Sequence, residues 1–309
     1  MSNTRLLTRR AALAGAAAMP LAGGLAGTVF AGAPMSGVQV APFRRLKVGE
    51  FDVTTLLAGT RAVPDPHTIF GLNVDAETFA EASQDANIPT DQAQFFFTPT
   101  IVNTGSELVL FDTGLSAEGT RAAIEAAGYT TDQVDVVVLT HMHGDHIGGM
   151  THEDGTPTYS NARYVTGQAE YDHWAAAGNE GFDAKVKPFA EQFTFLEDEG
   201  EVAGGLTAIA AFGHTPGHCC YRVESGDQQL VIGADFANHY VWSVAHPDWE
   251  VKFDMDKARA AETRRRLLDM MATDKLPFIG YHMPWPGVGY VETSGDGFAY
   301  VPHSYQLML

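Results

Sequence analysis

Leu139-Thr140-His141-Met142-His143-Gly144-Asp145-His146-Ile147-Gly148-Gly149 places three histidines and an aspartate within six residues, directly after the apolar run Val136 to Leu139. A β-branched run of this kind marks a strand buried on both faces. The ionisable cluster therefore emerges at the C-terminal end of a central strand, where loops at a sheet edge build sites. His141 and His143, two positions apart, point the same way in extended backbone, and Gly144 permits the turn that brings Asp145 and His146 round. Neutral imidazoles with a carboxylate are the donors that zinc or a similar divalent ion selects. One turn cannot fill two coordination spheres. Further donors stand near the ends of later strands: His218 in Gly213–His218, Asp235 closing Val231–Asp235, and His282 in Ile279–His282.

The rest of the chain alternates strand and helix signals. Residues 43–60 read as two strands turning at Gly49-Glu50, and 95–114 as a strand pair around Gly105-Ser106. Residues 61–94, with a helical stretch at 75–84, read as an insertion packed over something. Helices are expected at 118–128, 168–177, 183–191 and 256–272. Strands are expected at 162–166, 192–196, 205–211 and 277–280, with hairpins turning at Gly226-Asp227 and near the C-terminus. The reading is an α+β fold in one domain: two packed mixed β-sheets flanked by helices.

The first ten residues carry three arginines and no acid, and a 23-residue stretch from Ala11 then runs without a charge. With Arg9-Arg10 ahead of it, the segment 1–33 reads as a twin-arginine export signal ending near Ala31-Gly32-Ala33, which implies a periplasmic or secreted destination. Loss of Arg5, Arg9 and Arg10 would take the formal charge from −19 to −22. Such a field repels nucleic acid and anionic membranes and slows the approach of polyanions, so small neutral substrates are favoured. The two cysteines, Cys219 and Cys220, are adjacent and would bridge only through a strained ring. They are read as reduced strand residues facing opposite sides.

The sequence resembles the metallo-β-lactamase fold superfamily, whose H-x-H-x-D-H motif is met by His141, His143, Asp145 and His146. The segments 43–56, 102–114, 213–218 and 286–302 look like the branch containing methyl parathion hydrolase and quorum-quenching lactonases. Gly144 departs from a proline common in that branch, and the region near 178–190 is shorter. The resemblance implies a four-layer αβ/βα sandwich over residues 42–309 and two divalent metal ions, expected to be zinc. His141, His143 and His218 would hold the first ion, Asp145, His146 and His282 the second, and Asp235 both. Two such ions ~3.5–4 Å apart acidify a shared water and polarise the oxygen under attack, with Asp145 and Asp235 as the carboxylates acting on that water.

Asp112, in Phe111–Gly114, is expected to support a ligand histidine, as metal sites commonly require. His214 reads as a structural loop residue. Trp174, Phe236 and His239 are expected to contact substrate. Together these readings point to a binuclear hydrolase of neutral lactones or esters, with organophosphotriester hydrolysis as a side activity. The alternatives are a β-lactam or glutathione-thioester hydrolase, or an inactive metal-binding protein. A homodimer is left open.

Overall fold

The computed structural model describes residues 40–304, so the export signal expected at 1–33 lies outside the described residues. Residues 41–304 form one compact unit. In chain order its strands are β1 (Phe43–Val48), β2 (Phe51–Leu56), β3 (Gly59–Pro64), β4 (Gln92–Phe97), β5 (Thr100–Asn103), β6 (Leu108–Phe111), β7 (Val136–Leu139), β8 (Arg163–Gly167), β9 (Phe193–Leu196), β10 (Glu201–Ala203), β11 (Leu206–Ala210), β12 (Cys219–Ser225), β13 (Gln228–Ala234), β14 (Phe278–Gly280), β15 (Val288–Ser294) and β16 (Gly297–Pro302). The helices are α1 (Ala76–Asp85), α2 (Ala117–Ala126), α3 (Gly144–Ile147), α4 (Gln168–Ala177), α5 (Glu180–Lys185) and α6 (Lys257–Asp274).

One sheet has the order β1-β2-β5-β6-β7-β8-β9 and the other β10-β11-β12-β13-β14-β15-β16. Strands β6 to β9 run parallel, as do β13 and β14. Because successive side chains on a strand face opposite ways, each central strand feeds two apolar layers. Val136 and Val138 of β7 meet Tyr221, Val223 and Ile232 between the sheets, whereas Val137 and Leu139 face the layer holding Ile124 of α2, Trp174 of α4 and Phe182 of α5. On the far side, Leu267, Leu268 and Met271 of α6 cover Val231 and Phe278. Full burial of such side chains contributes about 1.5–3 kcal/mol each. This is the expected sandwich of two mixed sheets flanked by helices. Cys219 and Cys220 lie in different layers on opposite faces of β12, and neither is bridged.

Several elements differ from the sequence reading. The segment expected as an insertion begins and ends as strands: β3 and β4 pair as a separate hairpin although 27 residues separate them. With α1 and a π-helical turn at Tyr240–Ala245 it builds a fourth apolar cluster around Phe70, Phe79 and Trp242. No short turn signal announces a pairing across so long a gap. The helix expected at 183–191 is broken, with α5 ending at Lys185 and a 3-10 segment at Lys187–Gln192 following. Pro188 is the cause, since it has no N–H to donate to the Ala184 carbonyl and so cannot continue the α-helix. Among the described residues no helix is long and apolar enough to cross a membrane.

Candidate metal centre

The C-terminal ends of β6, β7, β13 and β14 converge at one edge of the two sheets, and the loops there carry the ionisable residues. Asp112 follows β6; His141 and His143 follow β7; Asp145 and His146 sit on the single-turn helix α3. His214 lies between β11 and β12, while Asp235 and His282 follow β13 and β14. Two backbone features press these loops together. A Cβ on Gly149 would come 2.0 Å from the Thr113 carbonyl, so the end of α3 can approach the turn after Asp112 only as glycine. Ala234 adopts a left-handed φ of 48°, which costs an alanine about 1–2 kcal/mol and turns the chain just before Asp235.

The proton positions on four imidazoles follow from what each touches on its outer side. His146 Nδ1 donates to Asp112 Oδ2 at 2.8 Å, and His214 Nδ1 donates to Asp254 Oδ1 at 2.9 Å. His282 Nδ1 donates to the Phe96 carbonyl at 2.8 Å. His141 Nδ1 lies 3.1 Å from Thr140 Oγ1, whose own proton goes to Asp112 Oδ2, so His141 donates there as well. A neutral imidazole protonated at Nδ1 has its lone pair on Nε2. All four lone pairs therefore face the same interior.

Inside, two sets form. His141 Nε2, His143 Nδ1 and His214 Nε2 converge, with successive separations of 3.1 and 3.0 Å. Asp145 Oδ2 lies 3.3 Å from His282 Nε2 and 3.7 Å from His146 Nε2. Asp235 stands between the sets. Its Oδ2 is 3.4 Å from His214 and 3.3 Å from His282, and its Oδ1 is 3.4 Å from His146. Asn238 Nδ2 donates to Asp235 Oδ2 at 2.9 Å and holds the carboxylate in place.

These donors fit divalent cations. His146 Nε2 and Asp235 Oδ1 are fully buried with no hydrogen-bond partner, a costly arrangement unless something coordinates them. Nitrogen lone pairs facing one another at ~3 Å repel unless a cation lies among them. Three triplets, His141–His143–His214, His141–His146–Asp235 and Asp145–His146–His282, each have their donor atoms within 4.8 Å of one another. The electrostatics divides the centre in the same way. Burial pushes the His141 and His143 imidazoles down, His143 to about 3. For His282 burial is outweighed by Asp235 and Asp145, which raise it to about 10, so this half favours positive charge, which a bound cation would supply in place of a proton on Nε2.

One sequence expectation for the first set is corrected. His218 does not join it: its Nδ1 lies 3.2 Å from the Ala211 carbonyl, and its Nε2 accepts from the Asp235 backbone N–H at 3.2 Å. Both ring nitrogens are occupied, and His214 takes the place. Asp254, held in turn by the buried Arg264 at 2.7 Å, stands 40 residues from His214 and carries no local signal in the sequence. Despite burial, the hydrogen bond from His214 and the charge of Arg264 keep the Asp254 carboxyl below its usual range.

The substrate contacts expected from sequence also change. A cleft of about 390 Å³ opens over His143, Asp145, Asp235 and His282, walled by Val63, Ile69, Phe95, Phe97, Leu115 and Phe253, with Arg61 as its charged residue outside that cluster. Arg61 and Val63 face it because β3 pairs Arg61 with Phe95. Trp174 is instead buried behind His143, edge-on at 5.8 Å. Phe236 packs against Phe278 in the layer under α6. His239 caps the π-helical turn through Nδ1 and borders a separate cavity on the other side of β4. A buried aromatic next to a motif residue is indistinguishable, in sequence, from a pocket wall.

The family model of the metallo-beta-lactamase superfamily matches residues 98–282, more than half of the chain. The chain belongs to the metallo-beta-lactamase superfamily. Among metallo-beta-lactamase relatives, an N-acyl homoserine lactonase of a Bacillus species is 25% identical over 163 residues, 51% of this chain and 60% of that protein. The N-acyl homoserine lactonase AttM of Azorhizobium caulinodans is 26% identical over 165 residues, 49% of this chain and 60% of its own length. The chain thus spans less than two thirds of these curated relatives. The metallo-beta-lactamase fold itself superposes on AidC, described as a dizinc quorum-quenching lactonase, with a TM-score of 0.79 at 23% identity over 85% of this chain and 98% of that one. It superposes equally on the hydrolase AbOPH, at 0.79 and 23% over 87% and 99%.

Proposed function

We propose that this protein is a binuclear, zinc-dependent hydrolase of neutral lactones or esters, with organophosphotriester hydrolysis as a side activity, working after export by the twin-arginine route. The observation that carries the reading is the Asp235 carboxylate between two sets of inward-facing donors, at the floor of a largely apolar cleft. His141, His143 and His214 would hold one cation, Asp145, His146 and His282 the other, with Asp235 shared. Bound there, the pair would supply Lewis acidity at the reacting oxygen and acidify a water between them.

The chain's own residues do the rest. Asp145, the more exposed carboxylate of the centre, lines the cleft through a side chain that is 23% accessible. It orients the attacking water and accepts its proton. Asp112 and Asp254 hold His146 and His214 in the tautomer that turns Nε2 inward. Val63, Ile69, Phe95 and Phe97 seat an apolar acyl or aryl group and exclude water, which strengthens every charge interaction at the floor. Arg61 offers donors to a substrate carbonyl. The lactonases among the relatives and the strongly negative chain favour neutral substrates over anionic ones.

The test is a screen of metal-replete protein against an acyl-homoserine lactone series, aryl esters, methyl parathion and a cephalosporin. The neutral substrates should exceed the cephalosporin in kcat/KM by roughly tenfold, about 1.4 kcal/mol of transition-state binding. A cephalosporin in first place would replace this reading with a β-lactamase.

A further inference from the structure

Behind the first set of histidines lies a buried acid that the mechanism does not use. Glu170, on the first turn of α4, is fully buried. Its Oε1 accepts from the Met142 backbone N–H at 2.9 Å and from Trp174 Nε1 at 2.6 Å. Its Oε2 accepts from Thr215 Oγ1 at 2.6 Å and from the Gly217 N–H at 3.0 Å. No cationic side chain is among these four donors. A carboxylate withdrawn from water is costly to keep unless every lone pair is used, and here each oxygen takes two donors. Glutamine would satisfy one side of the site and set its own N–H groups against the other.

The donors come from both halves of the fold. Met142 sits between His141 and His143 on the loop after β7, and Trp174, one helical turn along α4, packs its ring on His143. Thr215 follows His214 on the loop before β12, which belongs to the other sheet. The approach is close: a Cβ on Gly217 would lie 2.0 Å from the Glu170 nitrogen, so this loop can reach α4 only with glycine there.

We infer that Glu170 is the positioning residue of the first half of the centre, latching the His141–His143 loop of one sheet to the His214 loop of the other and so setting the affinity for the cation those three histidines would hold. The inference rests on the reading that the centre binds two cations. Neither Asp145, His146 nor His282 supplies a donor to Glu170, so loss of the latch should fall on the first half of the centre and reach the second only through His141 and the shared Asp235.

The experiment is a zinc competition titration against a chromophoric chelator, run on the wild type, Glu170→Gln, Thr215→Val and Thr215→Ser, with the melting temperature of each metal-free chain recorded alongside. One of the two zinc equivalents should weaken at least tenfold in Glu170→Gln and Thr215→Val, the other should keep its wild-type affinity, and Thr215→Ser, which keeps the hydroxyl donor, should restore both. Should Glu170→Gln not fold, the two Thr215 variants carry the test. Wild-type affinity for both equivalents in Thr215→Val, or equal weakening of both, would overturn the latch while leaving the binuclear reading intact. A wild type that binds no zinc would overturn the binuclear reading and the latch with it.

Discussion

His214 donates from Nδ1 to Asp254 at 2.9 Å, and this contact decides which nitrogen faces the centre. Asp112 does the same for His146 at 2.8 Å. Each half of the centre thus has one buried carboxylate behind one imidazole. Asp254→Asn and Asp112→Asn should each lower zinc affinity by about 10- to 100-fold, the range seen when such supporting groups are removed, with the far-ultraviolet circular dichroism unchanged. Wild-type affinity in both variants would mean that the imidazoles are oriented by something else.

The exchange of His218 for His214 makes a paired prediction. His214→Ala should leave one zinc equivalent bound and remove most turnover. His218→Ala should keep two equivalents but lower stability by about 1–3 kcal/mol, because the Asp235 N–H loses its acceptor and the Ala211 carbonyl its donor. Urea denaturation and metal analysis of the two purified variants measure both quantities. The reverse pattern would restore His218 as the ligand.

Asp235→Ala and Asp145→Ala should each fold and lose most activity, since either change leaves a set of donors incomplete and the water between them poorly held. Steady-state kinetics on one lactone substrate checks this. Near-normal turnover in both variants would sink the binuclear mechanism.

Burial pushes both thiols up, Cys219 to about 12, so neither forms an appreciable thiolate at pH 8. Iodoacetamide at that pH should label neither cysteine in the native protein and both in denaturant, as read by mass spectrometry. Rapid labelling of the native protein would place a cysteine at the surface.

The local motifs were legible because their physics is local. Val136–Leu139 reads as a doubly buried strand, and His141 to His146 as a metal-binding turn, from residues that are neighbours in the chain. Asp112 was found through the short motif that carries it. What failed to show was long-range. Asp254, Glu170 and Arg61 join the site only because the two sheets stack and the β3–β4 hairpin folds over the edge. His214 and His218 both lie on the loop between β11 and β12, and only the Asp254 contact of the one and the backbone contacts of the other distinguish them. Trp174 and Phe236 carry the same apolar signature whether they line a cleft or fill a core.

The most direct measurement is turnover of a neutral acyl-homoserine lactone while zinc is returned to chelator-treated protein, with the melting temperature followed in parallel. Activity should be absent at the start and rise to a plateau at two equivalents per chain. The melting temperature should climb over the same interval, because ions bound only by the folded chain stabilise it by mass action. Full turnover in the chelated protein, or a plateau reached at one equivalent with no change in melting temperature, would contradict the account.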